Sequence, residues 1–442
     1  MDTTGASAMT VTIMPGKISG SVAAIPSKSH LHRLLICAAL ADKETFITCA
    51  ETDAEDIKAT IGCLTALGAA AERREGGFAI TPVKRNSAHV GEVFLPCMES
   101  GSTLRFMLPV VCALGVRGTF QMKGRLPQRP MAQLEAQLES HRIRLWRGEA
   151  DLLCCEGRLS PDEYHLPGNI SSQYISGLLM ALPLLDSAST LTVTHPVESA
   201  DYISMTLEAL ESFGNRVSSF VRPSENTRYE IQGIGEFKSP GNLAAEGDWS
   251  NAAFWLCAGA MPGGGIELSG LKKDSLQGDR EVCAILEQMG AEVTWENSAT
   301  GETLHIKEGL RRGAEIDVRA IPDLGPVLAA VAAAATGTTV IKNASRLRLK
   351  ESDRLYATTR TLTVLGADVK ETEDSLVING RKRLKGGAVD AFGDHRIAMM
   401  AAIASAACDE PVIITGAEAV NKSYPAFWKH LTALGKTVKV ED

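Results

Sequence analysis

The residues of this chain best suited to chemistry sit in short polar segments directly before apolar runs. Pro26-Ser-Lys-Ser-His-Leu-His-Arg33 precedes Leu34, Leu35, Ile36, Ala38 and Leu40. Ser27 or Ser29 can cap the helix that this run predicts. Lys28 and Arg33 then stand near its N-terminal end, where the helix dipole disfavours cations, so their placement makes sense around an anion. Glu99-Ser-Gly-Ser-Thr-Leu-Arg105 opens a second apolar run, Phe106 to Leu114. Gly101 lets a ligand approach the backbone there, and Arg105 lies one turn in. Gly124-Arg-Leu-Pro-Gln-Arg-Pro130 holds Arg129 between a polar turn and a proline that suits a helix start. Gly168-Asn-Ile-Ser-Ser-Gln-Tyr174 brings Ser171, Ser172 and Gln173 to a further helix start, where hydroxyls and an amide bind phosphate or sugar hydroxyls. Any one of these is an ordinary capping loop. Four in one half of a chain form an anion-binding pattern.

The second half adds carboxylates among cations. Asp323 follows Ile321-Pro322 and precedes a nearly uncharged run, Val327 to Ala335, so it could be only an N-cap. Arg346 to Arg354 holds six charges in nine residues. If that stretch is helical from Lys350, Lys350 and Arg354 share a face. Gly393-Asp-His-Arg396 leads into the apolar run from Ile397, a costly place for charge unless it is partnered. Lys422 lies in the pre-helix loop Asn421-Lys-Ser-Tyr-Pro425. There is no G-x-S-x-G elbow, no phosphate-binding P-loop and no G-x-G-x-x-G fingerprint. His30 and His32 have no third ligand at a recognisable spacing, so no metal is expected.

The elements that carry these segments recur. A helix-end phrase, leucine or a similar residue before glycine, appears at Gly68, Gly214, Gly290, Gly366 and Gly435, with a degenerate copy at Ser140. The intervals are 72, 74, 76, 76 and 69 residues. Glycine accepts the left-handed backbone that ends a helix. Short strands follow, and β-branched runs such as Thr338-Thr-Val-Ile341 precede other helices. Six α/β modules therefore fill the chain, three per domain. Phe237-Lys-Ser-Pro-Gly-Asn242 is the expected boundary, with a second crossing near Pro26. The strand Val11-Thr-Ile13 is expected to pair with the C-terminal domain.

Bulk properties narrow the partners. The 442 residues carry a formal net charge of −8, which argues against a general nucleic-acid binder or a polybasic membrane binder. The longest strongly apolar stretch, Ile397 to Cys408, has 12 residues, too short to span a bilayer. The N-terminus shows no basic region followed by an apolar core, so no secretory signal is expected. Ten cysteines, several in apolar surroundings and none in C-x-x-C, read as reduced, buried thiols of a cytoplasmic protein.

In order from Ser27 to Pro425, the polar segments resemble those of the 5-enolpyruvylshikimate-3-phosphate synthases, the enolpyruvyl transferases of the shikimate pathway. The motifs are S-K-S-x-x-x-R at 27–33, G-S-T-x-R at 101–105, R-P at 129–130, S-S-Q at 171–173, E-G-D at 246–248 and S-x-Q-G-D at 275–279. They continue with I-P-D at 321–323, K-E-S-D-R-L at 350–355, D-H-R at 394–396 and the lysine before S-Y-P at 422. The resemblance implies an α/β fold of two domains, each of three βαβαββ units. This is the inside-out α/β barrel of enolpyruvyl transferases, six repeats in total, closing on substrate. The implied division is 27–240, on the shikimate 3-phosphate side, and 1–26 plus 241–442, with most phosphoenolpyruvate and proton-transfer residues. The implied reaction moves the enolpyruvyl group of phosphoenolpyruvate to the 5-hydroxyl of shikimate 3-phosphate, without metal or organic cofactor; a monomer is expected.

Residue by residue, Ser171, Ser172, Gln173, Ser199 and Tyr202 match positions that hold shikimate 3-phosphate. Lys28, Ser29 and Arg33 match the loop that meets both substrates. Arg129, Arg354, Arg396 and Lys422 match cations around phosphoenolpyruvate, with Gly101 close to it. Arg105 and Lys350 complete a set of eight cations expected in one cleft. Asp323 and Glu351 match the proton-transfer carboxylates, Glu351 on the methylene side and Asp323 on the 5-hydroxyl side, assisted by Lys28 or Lys422. Three residues depart from the family pattern. Glu99-Ser100 stands where Asn-Ala is frequent, and Phe106 where proline is common. A carboxylate there bears on affinity for phosphoenolpyruvate and for glyphosate, the family's inhibitor. The nearest alternative, UDP-N-acetylglucosamine enolpyruvyl transferase, is disfavoured by S-S-Q, K-E-S-D-R-L and D-H-R together. A non-catalytic anion-binding protein is disfavoured by the joint presence of Asp323, Glu351 and Lys28.

Overall fold

The computed structural model describes residues 8–84, 91–222, 224–233, 236–298 and 301–441. The first seven residues of the N-terminal stretch discussed above lie outside them. The chain divides into two compact units. One comprises Pro26–Glu51 and Glu55–Glu246, the other Met1–Ile25, Thr52–Ala54 and Gly247–Asp442. The first unit contains α1 (Lys28–Ala39), α2 (Glu55–Ala66), α3 (Gly101–Leu114), α4 (Ala132–Ser140), α5 (Ser172–Ala181) and α6 (Ala200–Ser212). The second contains α7 (Trp249–Ala260), α8 (Val282–Met289), α9 (Gly325–Ala334), α10 (Arg354–Val364), α11 (His395–Ala404) and α12 (Phe427–Ala433).

The described residues also form six four-stranded sheets on one plan. In the repeat of α3 and α4, Glu92–Met98 runs parallel to Arg117–Met122, and α3 makes the crossover that a parallel pair requires. Leu152–Glu156 then pairs antiparallel with both Arg117–Met122 and Arg144–Arg147. The chain order is βαβαββ, as the resemblance implied. Three strands come from elsewhere in the sequence. Asn242–Ala244 lies parallel to Thr45–Thr48 and serves the repeat of α1 and α2. Ser19–Ala23 lies parallel to Gly265–Ser269 and serves the repeat of α7 and α8. Thr10–Ile13 pairs antiparallel with Val412–Thr415 and Val438–Glu441, which is the C-terminal pairing expected of it. Because Asn242–Ala244 belongs with Thr45–Thr48, the later crossing falls after Glu246, past the expected 240/241 division.

The glycine period has a specific origin. Gly68, Gly214, Gly290, Gly366 and Gly435 all have φ between +80° and +110°, just beyond α2, α6, α8, α10 and α12. The period is the spacing of the second helix in each repeat. Beyond α4 the left-handed residue is Arg142, φ +67°, not Ser140, which is the last residue of the helix. Arg142 and Ile143 donate their amides to Glu139 and Leu138, as Gly68 and Ala69 do to Thr65 and Leu64.

The first helix of each repeat is buried nearly all round. Every residue of α9 and α11 is buried, as are eleven of twelve in α7 and nine of ten in α5. A helix apolar on every face needs cover on every face. Strands such as Ser189–Thr194 supply it, with alternate residues buried and the others turned outward. By contrast, α4 buries only Leu134 and Leu138. Polar groups at the starts of the interior helices are thus held by a rigid frame. All ten cysteines are free thiols, nine of them buried. No helix among the described residues is long and apolar enough to cross a membrane.

Candidate active site

In the 247–442 unit, the geometry centres on Arg354, the first residue of α10, whose side chain is 1% exposed. Its Nε donates to Asp394 Oδ2 at 2.8 Å and its Nη2 to Asp394 Oδ1 at 3.2 Å. Nη1 donates to Asp323 Oδ1 at 2.6 Å, and Nη2 to Glu351 Oε2 at 2.8 Å. One guanidinium therefore holds three carboxylates. Asp394 is fully buried, Glu351 is 12% exposed and Asp323 is 27% exposed. Three more cations surround them. Lys350 Nζ lies 3.3 Å and Arg396 Nη2 3.9 Å from Asp323, and Lys422 Nζ lies 3.9 Å from Glu351. With all three carboxylates ionised, four cations leave the cluster one positive charge in excess, a setting that accepts an anion.

These charges tune one another. Burial pushes the Asp323 carboxyl up, but Lys350, Arg396 and Arg354 together outweigh it and hold it well below the ordinary carboxylate range. Burial lowers the Lys350 ammonium to about 8 despite the charge of Asp323. Asp394 also accepts from Ser352 Oγ at 3.0 Å and caps α11 through the Arg396 amide at 2.9 Å. Arg396 in turn donates to the Ser250 carbonyl at 2.9 Å.

In the 26–246 unit, the first-helix starts are capped by hydroxyls: Ser27 on α1, Ser100 on α3 and Ser171 on α5. Lys28 pairs with Asp56, in the first turn of α2, at 2.7 Å. Arg105 Nη1 donates to Gln173 Oε1 at 2.7 Å, and Gln173 Nε2 donates to Ser102 Oγ at 2.8 Å. Arg105 also donates to the Pro130 carbonyl at 3.1 Å, so three of the four polar loops meet at one guanidinium. A Cβ on Gly101 would stand 2.7 Å from Arg129 Nη1 and 3.1 Å from Arg105 Nη1, so any side chain there would displace the ends of both arginines. The Glu99 carboxylate packs over Gly124, in the loop that carries Arg129. Ser199 precedes α6 in a left-handed conformation, φ +54°.

The match to a family model for EPSP synthase (3-phosphoshikimate 1-carboxyvinyltransferase) runs over residues 13–431. The chain belongs to the EPSP synthase family. Among its relatives, the 3-phosphoshikimate 1-carboxyvinyltransferase of Clostridium kluyveri is 42% identical over 427 residues, covering 96% of this chain and 97% of that one. The Clostridioides difficile protein of the same name is 40% identical over 434 residues, with 96% and 97% covered. An EPSP synthase structure from Acinetobacter baumannii matches with a TM-score of 0.79 at 26% identity, over 98% of this chain and all of that one. The enolpyruvyl transferase NikO from Streptomyces tendae, at 17% identity and a TM-score of 0.76 over 98% and 99%, shares the fold.

For an EPSP synthase family member, several expected site residues sit differently than spacing alone predicts. Asp323 is no N-cap: it lies in the 3-10 turn Pro322–Leu324 and binds cations. Lys350 and Arg354 do not share a helix face, because Lys350 closes the 3-10 turn Ser345–Leu349 and α10 begins only at Arg354, capped by Asp353. They converge on Asp323 through a loop instead. Pro130 stands before the N-cap Met131 rather than inside α4. Arg33 is 2% exposed and turned inward. It donates to Thr206 Oγ1, Ser176 Oγ and the carbonyls of Ser29 and Tyr202, and so ties α1 to α5 and α6. E-G-D and S-x-Q-G-D brace one another. Asp248 caps α7, Gln277 accepts from the Trp249 amide, and Ser250 donates to Asp279.

Two residues of the network were not singled out by their sequence. Asp394 stood inside D-H-R, and its place just after Gly393 and before an apolar run was the available signal. Asp56 reads as an ordinary first-turn acid of a helix. The two neighbouring histidines do unrelated work: His30 Nδ1 accepts from the Glu246 amide, while His32 Nδ1 bonds Thr60. Among the described residues no group of three or more His, Cys, Asp or Glu side chains is placed to hold a metal ion.

Proposed function

We propose that this chain transfers the enolpyruvyl group of phosphoenolpyruvate to the 5-hydroxyl of shikimate 3-phosphate through a tetrahedral ketal, and that Asp323 and Glu351 move the protons. The observation that carries this reading is one buried guanidinium binding three carboxylates, of which Asp323 and Glu351 stay partly open and Asp394 is sealed. Glu351 in its acid form protonates the phosphoenolpyruvate methylene and makes the neighbouring carbon electrophilic. The 5-hydroxyl adds to that carbon and gives its proton to Asp323. The carbon–oxygen bond to phosphate then breaks, phosphate leaves with the electron pair and the proton held by Asp323, and Glu351 takes a proton back from the methyl group. Acid–base groups of this kind contribute about 10²–10⁴-fold each.

Asp323 is a weak base while three cations hold it. An anion bound at Lys350, Arg354 and Arg396 shares those cations and restores its basicity. Donor binding and proton removal are coupled in this way. Lys422 assists beside Glu351, and Lys28 assists on the acceptor side. Ser29, Ser171, Ser172, Gln173, Ser199 and Tyr202 hold shikimate 3-phosphate, and Arg129 receives phosphoenolpyruvate beside Gly101. Arg33 and Arg105 act through the loops they tie together. The free thiols support a reducing cytoplasm.

Phosphate release from phosphoenolpyruvate, assayed with shikimate 3-phosphate and with UDP-N-acetylglucosamine in turn, tests the reading. Turnover with the first acceptor alone is expected. No turnover with it would overturn the assignment.

A further inference from the structure

His32 lies in the middle of α1's buried face and is 0% exposed. Leucine would fill such a place with no polar atom to satisfy. Its Nδ1 bonds Thr60 Oγ1 at 2.7 Å, Thr60 Oγ1 bonds Thr103 Oγ1 at 2.7 Å, and Thr103 Oγ1 donates to Ser100 Oγ at 2.7 Å. Ser100 Oγ also accepts the Thr103 amide and so caps α3. Among the described residues, the Nε2 atom of His32 has no hydrogen-bond partner. An unpartnered N–H costs more than an unpartnered lone pair. The proton therefore sits on Nδ1, and each hydroxyl donates in turn toward Ser100. Burial lowers the imidazole to about 3, so it stays neutral and keeps this polarity at working pH. The chain ends one residue before Gly101, the residue over which Arg129 lies. His32 also meets Phe106, one turn further along α3, edge to face.

We propose that His32 is a positioning residue for phosphoenolpyruvate: its Nδ1–H orients a chain of three hydroxyls that sets the α3 cap and, through it, Gly101 against Arg129. The inference rests on the reading that Arg129 and Gly101 receive phosphoenolpyruvate. Asparagine places an amide nitrogen where Nδ1 stands, and leucine places none. In His32→Leu, KM for phosphoenolpyruvate should rise roughly 3- to 10-fold, the worth of one buried hydrogen bond, while kcat and KM for shikimate 3-phosphate stay within about twofold. His32→Asn should restore KM, and Thr60→Val, which cuts the chain without touching His32, should reproduce the rise. Nitrogen NMR of the labelled wild-type chain should find the proton on Nδ1. Equal behaviour of the leucine and asparagine variants, an unchanged KM in Thr60→Val, or a proton on Nε2 would each overturn the proposal. Arg129→Gln separates the two levels. If it leaves KM for phosphoenolpyruvate unchanged, the underlying reading fails. If it raises KM while His32→Leu does not, only the relay fails.

Discussion

The two units build the same repeat and open its first helix with different chemistry. In the 26–246 unit the caps are Ser27, Ser100 and Ser171. In the 247–442 unit they are Asp248 and Asp394, and α9 is led in by the turn that carries Asp323. Serine and aspartate cap about equally well. They differ in charge. A hydroxyl leaves the positive end of the helix dipole uncompensated and ready for a phosphate. A carboxylate neutralises it, can exchange protons, and can fix a guanidinium. This difference fits the proposed roles, in which hydroxyl-capped helices of one unit receive an anion and carboxylates of the other move protons. Identical backbone plans thus carry neutral caps in one unit and charged caps in the other, and the charged Asp394 cap also fixes Arg354 beside Asp323 and Glu351.

That comparison can be broken at its strongest point first. Asp323→Asn and Glu351→Gln should each lower kcat by about 10²–10⁴-fold while shikimate 3-phosphate still binds, measured by phosphate release and by calorimetry. Near-normal turnover in either variant would remove that residue from the proton-transfer role. Asp394→Asn should act on stability, because it removes the fully buried one of the three carboxylates that hold Arg354. A loss of about 1.5–3 kcal/mol is expected in denaturant unfolding. A merely local effect on rate would show that Asp394 is not the anchor.

Ser171→Asp exchanges the cap of one unit for that of the other. The helix should persist, but shikimate 3-phosphate affinity should fall about tenfold or more through like-charge repulsion. Unchanged affinity would mean that the hydroxyl caps do not face the anion. Lys350 gives a pH test. Lowered to about 8, it is cationic below that pH and neutral above it, so kcat/KM for phosphoenolpyruvate should fall about fivefold between pH 8 and 9. Lys350→Arg should remove that alkaline limb. The smallest effect is expected from Asp248→Ser, which keeps a cap and should cost under about 1 kcal/mol.

Much of this site was legible because much of it is local. A serine before an apolar run predicts its own cap, and Ser27 and Ser171 both form one. The C′ glycines marked the second helix of five repeats for the same reason. What was not legible is non-local. Asp394 and Arg354 are 40 residues apart, and nothing in either neighbourhood specifies the other. Asp56 and Lys28 are 28 apart. The strand Asn242–Ala244 has three residues, too few to show a period, and its partner lies near the other end of the unit. Arg142 in a left-handed conformation disguised the repeat that lacks glycine.

By itself the sequence determined the six-module plan, the apolar first helices and the positions of the polar segments at their starts. All of these rest on interactions within a few residues, where backbone geometry and hydrophobic period leave little choice. Only the tertiary structure decided what each charged residue does there. It turned Arg33 inward to tie three helices, set Arg105 across three loops, and gathered Asp323, Glu351 and Asp394 around Arg354. The reason is that charge interactions depend on distance and burial, and in a packed chain both are set by elements far apart in sequence.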